Sequence, residues 1–304
     1  MLKIFLREEL LLGSLLVFAS IVWLAIFLGN YNFLTVFPIG FSWVGLALIV
    51  DYLERKRTSH GIIPSRSSWS TGVFRVASVA IIWSVILDGF GVFITRLWYY
   101  PYFPIKIYLI YAPLAYFAYT LLLFGLYEFV RDSQKTPLKT LKKIRETIYQ
   151  KVMKWEVIIG IVGTFFSVAY SYYFLAKNNF DLNNITEPTR VTGQGWIIFL
   201  ISLVSIFLVF EYICYRQNKK TLTFDIMRGD FYPLLSIIVA SLIAIITIEI
   251  INIPFQVWTF DNWPLSNLRI LNLPIVPLLI WPIQFFVFLS MLRSVFPSKE
   301  VIWD

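Results

Sequence analysis

Eight apolar stretches, each long enough to cross about 30 Å of hydrocarbon, take up most of this chain. They run Leu10–Leu28, Phe33–Leu53, Val76–Ile94, Ile107–Val130, Val157–Ala176, Trp196–Tyr215, Tyr232–Ile253 and Leu271–Val295. Inside lipid such a segment has to satisfy its backbone polar groups internally, and a helix does this within one segment. The expected fold is therefore an all-α polytopic membrane protein with about eight transmembrane helices. Composition agrees: 58% of the 304 residues are hydrophobic, 18% aromatic and only 14% charged. Pro38, Pro113, Pro274, Pro277 and Pro282 fall inside the stretches and predict kinks or breaks.

The net charge of +8 does not point to nucleic acid. The basic residues lie in short loops between apolar spans, where they act as topology signals. The N-terminus, the C-terminal region and the loops after spans two, four and six hold 21 of the 26 lysines and arginines. The positive-inside rule then predicts a multi-pass protein of the cell membrane with both termini cytoplasmic. The first apolar run is too long for a signal-peptide core and is read as a retained helix. One cysteine (Cys214) and one histidine (His60) leave no intrachain disulfide and no Cys- or His-based metal site. No metal or other cofactor is expected. The partners expected are membrane lipids and an apolar lipid substrate, with further copies of the chain as an open option.

The sequence also repeats itself. Glu9, Gly13 and Phe33 align without a gap on Glu156, Gly160 and Phe180. Val50-Asp51-Tyr52 and Phe210-Glu211-Tyr212 each precede a basic run. Val76–Pro101 matches Val239–Pro264, with Asp88 near Glu249 and Trp98 matching Trp258. The expectation is a tandem 4+4 arrangement of two parallel four-helix repeats, 1–134 and 155–304. Between them, 135–154 carries apolar Leu138, Leu141, Ile144, Ile148 and Val152 among lysines and arginines. That spacing predicts a basic amphipathic linker helix on an anionic membrane surface, or a plain linker bearing topology charges.

Carboxylates inside apolar stretches are costly and mark candidate sites. Glu9 and Glu156 are expected at helix N-termini, and Asp51 and Glu211 in local salt bridges. Asp88 and Glu249 are the candidates for chemistry. Each is followed by an aromatic, proline-containing connection, RLWYYPYFPIKIYLIY in one case and QVWTFDNWPLSNLRILNLP in the other. Trp98, Trp258, Phe260, Asp261 and Trp263 in these connections, with Gln284 in the last span, are the expected substrate-binding residues. An interfacial aromatic belt and interhelical hydrogen bonding are the structural alternatives. A carboxyl group in low-dielectric surroundings keeps its proton to higher pH and can pass it to an alkene, and π faces stabilise the resulting cation.

Glu249, the VWTF segment and LNLPIVPLLIWPI together resemble integral-membrane carotenoid-biosynthesis proteins of the lycopene cyclase-like and carotenoid hydratase-like families. The first half repeats the pattern faintly in Asp88, Leu97-Trp98-Tyr99 and Ala112-Pro113-Leu114. The cyclases resemble one another in a Pro-Leu-Glu-Glu stretch. Here the corresponding places read Pro113-Leu114-Ala115-Tyr116 and Pro274-Ile275-Val276-Pro277, so the resemblance implies a hydratase-like or non-catalytic relative. The functional expectation is an integral membrane enzyme acting on a long isoprenoid or carotenoid-like lipid by carboxylate acid–base chemistry: hydration, cyclisation or isomerisation. A proton- or cation-coupled transporter and a scaffold subunit of a membrane complex are the alternatives.

Overall fold

The computed structural model describes residues 2–58, 69–133, 143–179, 181–271 and 273–296. The helices are α1 (Leu2–Ile26), α2 (Phe33–Val36), α3 (Ile39–Thr58), α4 (Trp69–Asp88), α5 (Ile105–Ser133), α6 (Glu146–Asn178), α7 (Gly195–Arg216), α8 (Leu222–Arg228), α9 (Tyr232–Asn252) and α10 (Ile275–Val295). Eight helical segments among them are long and apolar enough to cross a membrane. The second expected span divides at Pro38: α2 is one capped turn, with Asn32 and Thr35 exchanging side-chain and backbone hydrogen bonds. Pro113 and Pro282 are accommodated inside α5 and α10.

The expectation for the linker changes. Residues 146–154 are the first turns of α6, continuous with the apolar segment; Leu138 and Leu141 lie outside the described residues. Glu9 and Glu156 consequently sit within helices that begin well before them. Glu9 shares Arg55 with Asp51, at 3.4 and 2.8 Å. Glu156 accepts from the Thr223 hydroxyl at 2.6 Å. Buried Glu211 is held by the Thr223 backbone N–H and the Ser290 hydroxyl, each at 3.0 Å.

Packing follows one scheme at both ends of the chain. α1 lies on α3 and α6 on α7; α3 packs on α5 and α7 on α10; α4 packs on α5 and α9 on α10. The N-terminal four spans meet the C-terminal four chiefly through α5 with α9 and α4 with α10, and residues 89–94 beyond α4 also touch α7 and α6. Small residues set the α1–α3 and α6–α7 crossings, because apolar surface gives no driving force in lipid and close backbone approach supplies contact instead. A Cβ added at Gly13 would lie 2.7 Å from the Gly45 carbonyl oxygen. One added at Gly160 would lie 2.9 Å from the Ser205 carbonyl oxygen. Outward faces of α1 and α6 carry large apolar side chains such as Phe18 and Phe165, as a lipid-facing helix does.

Beyond α4 the chain winds into a π-helical segment, Gly89–Ile94, and then β1 (Trp98–Tyr99). Beyond α9 it turns into β2 (Thr259–Phe260). The two strands pair antiparallel, Trp98 opposite Phe260 and Tyr99 opposite Thr259. The Leu97 carbonyl extends the ribbon by accepting from the Asp261 N–H at 2.8 Å. A second small hairpin, β3 (Arg269–Ile270) with β4 (Leu273–Pro274), delivers the chain to α10, which therefore starts later than the Leu271 expected.

Candidate functional site

The ribbon carries each tryptophan to the carboxylate of its own segment. Asp88 ends α4 with 1% of its surface exposed. Its Oδ1 accepts from the Trp98 indole N–H at 3.0 Å and from the Tyr100 hydroxyl at 3.0 Å. Its Oδ2 accepts from the Tyr108 hydroxyl, and Tyr116 also engages the carboxyl. Gly91 makes this geometry feasible: a Cβ there would fall 1.8 Å from the Trp98 ring. Burial, with the Asp88 charge adding to it, holds the Tyr100 hydroxyl well above the usual phenol range, so it remains a donor.

Glu249 has fewer partners. It sits near the end of α9, 3% exposed. Its Oε1 accepts from the Trp258 indole N–H at 2.8 Å, and Oε2 from the Asn252 amide at 3.3 Å. Asn252 also donates to the Trp258 carbonyl at 3.0 Å and accepts from its N–H at 3.3 Å, fixing the approach of that segment. Asp88 and its tryptophan are ten residues apart, Glu249 and its tryptophan nine. The π-helical segment lies in the longer interval, where a one-residue insertion into a helix takes that form.

Glu249 opens on a cleft between α3, α5, α9 and α10, whose space between atoms, the open mouth included, is about 750 Å³. The walls are almost wholly aromatic and aliphatic: Trp43, Tyr119, Trp258 and Phe260 stand around the carboxyl, with Ala112 and Ala115 leaving room on α5. The Trp43 ring touches both Tyr119 and Trp258, with centroids 5.7 Å apart in each case. Asp88 is not among the lining residues; its tyrosine partners Tyr100, Tyr108 and Tyr116 are. A smaller pocket of about 280 Å³ lies between α4, α7 and α10, filled in by Phe199, Leu203 and Trp263.

The expected residues thus divide. Glu249, Trp98, Trp258 and Phe260 meet at the large cleft. Trp98, Trp263 and Gln284 line the smaller pocket. Asp261 lines neither; its backbone extends the ribbon and its carboxyl accepts from the Asn262 N–H at 2.9 Å. Trp43, Asn252, Trp281 and the α5 tyrosines were not among the site residues expected from the sequence. The tyrosines had a signal: Tyr108, Tyr111, Tyr116 and Tyr119, with Ala112 and Ala115 between, recur at spacings that put them on one helical face. Among the described residues no group of three or more His, Cys, Asp or Glu side chains stands close enough to hold a metal ion.

Fold and site together define a multi-pass α-helical membrane protein with a carboxyl group set in the wall of an aromatic cleft. Comparison with protein-family models, with curated proteins and with solved structures found no match to this chain.

Proposed function

We propose that the protein is an integral-membrane enzyme that acts on a long apolar lipid of the isoprenoid class, with Glu249 as its acid. One observation carries this reading: the carboxyl of Glu249 lines a cleft whose other walls are aromatic rings and aliphatic side chains. Pockets that combine a large apolar lining with one placed polar group are made for apolar ligands with a single reacting point. The Glu249 O–H bond breaks as a C–H bond forms on an alkene carbon, leaving a carboxylate and a carbocation. Faces of Trp43, Tyr119 and Trp258 stabilise that cation. The carboxylate recovers a proton from the cation's neighbouring carbon in an isomerisation or cyclisation, or from the water that adds to the cation in a hydration. Asp88 is a positioning residue in this scheme. It fixes Trp98, Tyr100 and Tyr108, which form one side of the cleft.

The scaffold is read as a tandem 4+4 repeat with both termini on the cytoplasmic side. Three correspondences support the repeat. The helix contacts of the first four spans have counterparts in the last four. Gly45, the contact of Gly13, stands six residues before Asp51, as Ser205, the contact of Gly160, stands six before Glu211. Tyr99 and Thr259, the residues that follow the two tryptophans, face each other across the ribbon, as equivalents beside a two-fold axis do. The test is lipid and pigment profiling by mass spectrometry of membranes from cells that express the protein. Glu249→Gln is expected to abolish a conversion that the unaltered chain performs. Profiles that stay the same with and without the intact carboxyl would sink the enzyme reading. Proton-coupled flux in liposomes that disappears with Glu249→Gln would replace it with transport.

A further inference from the structure

The cleft and the smaller pocket beside it share three side chains: Leu87, Trp98 and Trp281 line both. These three side chains stand where the larger space meets the smaller. They are not held alike. Trp98 is fixed by the Asp88 hydrogen bond at 3.0 Å, by the bare backbone of Gly91 under its ring, and edge-on by Phe199 at 5.5 Å. Leu87 is buried in the core on α4. Trp281 is half-buried, and its indole N–H is held only by a loose approach to the Tyr119 hydroxyl, short of good hydrogen-bond geometry. Its one described ring contact is Phe260, edge-on at 6.4 Å. It also immediately precedes Pro282 within α10. A proline inside a helix removes one backbone hydrogen bond and loosens the turn before it.

We infer that Trp281 is the specificity-determining partition of the cleft: its ring sets the longest chain that fits beside Glu249. This rests on the reading of the cleft as a site for a long apolar lipid. In a bilayer a ligand chain gains little transfer energy on entering the protein, because the tails it leaves are as apolar as the pocket. Length is therefore selected by shape. A chain that fits ends against Trp281, and a longer one overfills the cleft. Removal of the ring joins the two spaces and extends the path past Trp98 toward Trp263 and Gln284.

The test compares the unaltered chain with Trp281→Ala, Trp281→Leu and Trp281→Phe in lipid nanodiscs. The probes are linear prenyl alcohols of increasing length, and native mass spectrometry reads which of them stay bound. The unaltered chain and Trp281→Phe are expected to share one upper length limit. Trp281→Ala and Trp281→Leu should move that limit upward by at least one isoprene unit while still holding the shorter members. An unshifted limit in either opened variant overturns the role of Trp281. Failure of the unaltered chain to hold any prenyl alcohol overturns instead the reading of the cleft as an isoprenoid site.

Discussion

Asp88 and Glu249 have the same functional group and opposite surroundings. Asp88 faces only donors, from two tyrosines and a tryptophan at hydrogen-bond distance, and lies behind the cleft wall. Glu249 keeps two donors and a face on the cleft. The two residues are therefore expected to fail differently. Asp88→Asn puts an amide among hydroxyls and an N–H that were arranged for a carboxylate. It should lower stability by roughly 2 kcal/mol, the scale of a buried hydrogen bond to a charged group. Glu249→Gln should leave the unfolding temperature nearly unchanged and lower turnover about a hundredfold or more, the range of general acid catalysis. Thermal unfolding in nanodiscs and turnover measured side by side separate them; equal effects on both quantities in both variants would contradict the division. The sequence marks both acids because a carboxylate in an apolar run stands out. It does not show their inequality, which arises from Tyr108 and Tyr116 on α5 reaching back to Asp88 from a different helix.

At the scale of elements, the apolar periods locate the helices well and their ends less well. Helix α6 starts at Glu146, so residues 146–154, at the end of the basic stretch ahead of the apolar run, are helix too. Composition places the membrane boundary, whereas backbone hydrogen bonding continues past it. Close helix crossings are more exacting than the sequence implies. Gly160→Leu would drive a side chain into the Ser205 carbonyl, 2.9 Å from where its Cβ would sit. A loss of about 1–3 kcal/mol is expected from overpacking, measurable as a fall in the unfolding temperature; Leu at the exposed Val162 position gives the control. The short helix α8, between spans, carries a titrating group. Burial raises the Asp225 carboxyl to about 6, against the lowering pull of Lys220 at 3.2 Å. A folded-state value above the unfolded one means that the ionised group costs stability. The cost is full above about pH 6 and fades as pH falls toward the unfolded value of 3.8. Above about pH 6 the unaltered chain should therefore be less stable than Asp225→Asn by about 3 kcal/mol, and the gap in their unfolding temperatures should close as pH falls from 6 toward 3.8.

For the whole molecule, the ribbon of β1 and β2 is the feature no apolar pattern could disclose. Strands of two residues are too short to leave a period, and the partners lie far apart in the chain. Replacement of Tyr99 and Thr259 together by cysteine tests it. The native Cys214 is buried, so mild oxidation should join only the new pair and compact the unfolded chain on a denaturing gel. Absence of that cross-link in a folded double variant would refute the pairing. The aromatic connections were legible in the sequence as candidate sites. Their mutual contact was not, because it depends on how α4–α10 and α5–α9 bring two distant turns together.

The one-residue excess between Asp88 and Trp98 has a consequence of its own. An extra residue taken up as a π-helical bulge rotates what precedes it by about a quarter-turn, while the strand that follows still arrives in step with its partner. Asp88 thus lies off the cleft wall while the β1–β2 pairing stays in register. Deletion of one residue from Gly89–Ile94 would restore the shorter interval and turn that carboxyl back toward its sister's posture. On the proposed tandem repeat, divergence of this kind would leave a chain that resembles a homodimer in its frame and a monomer in its working parts.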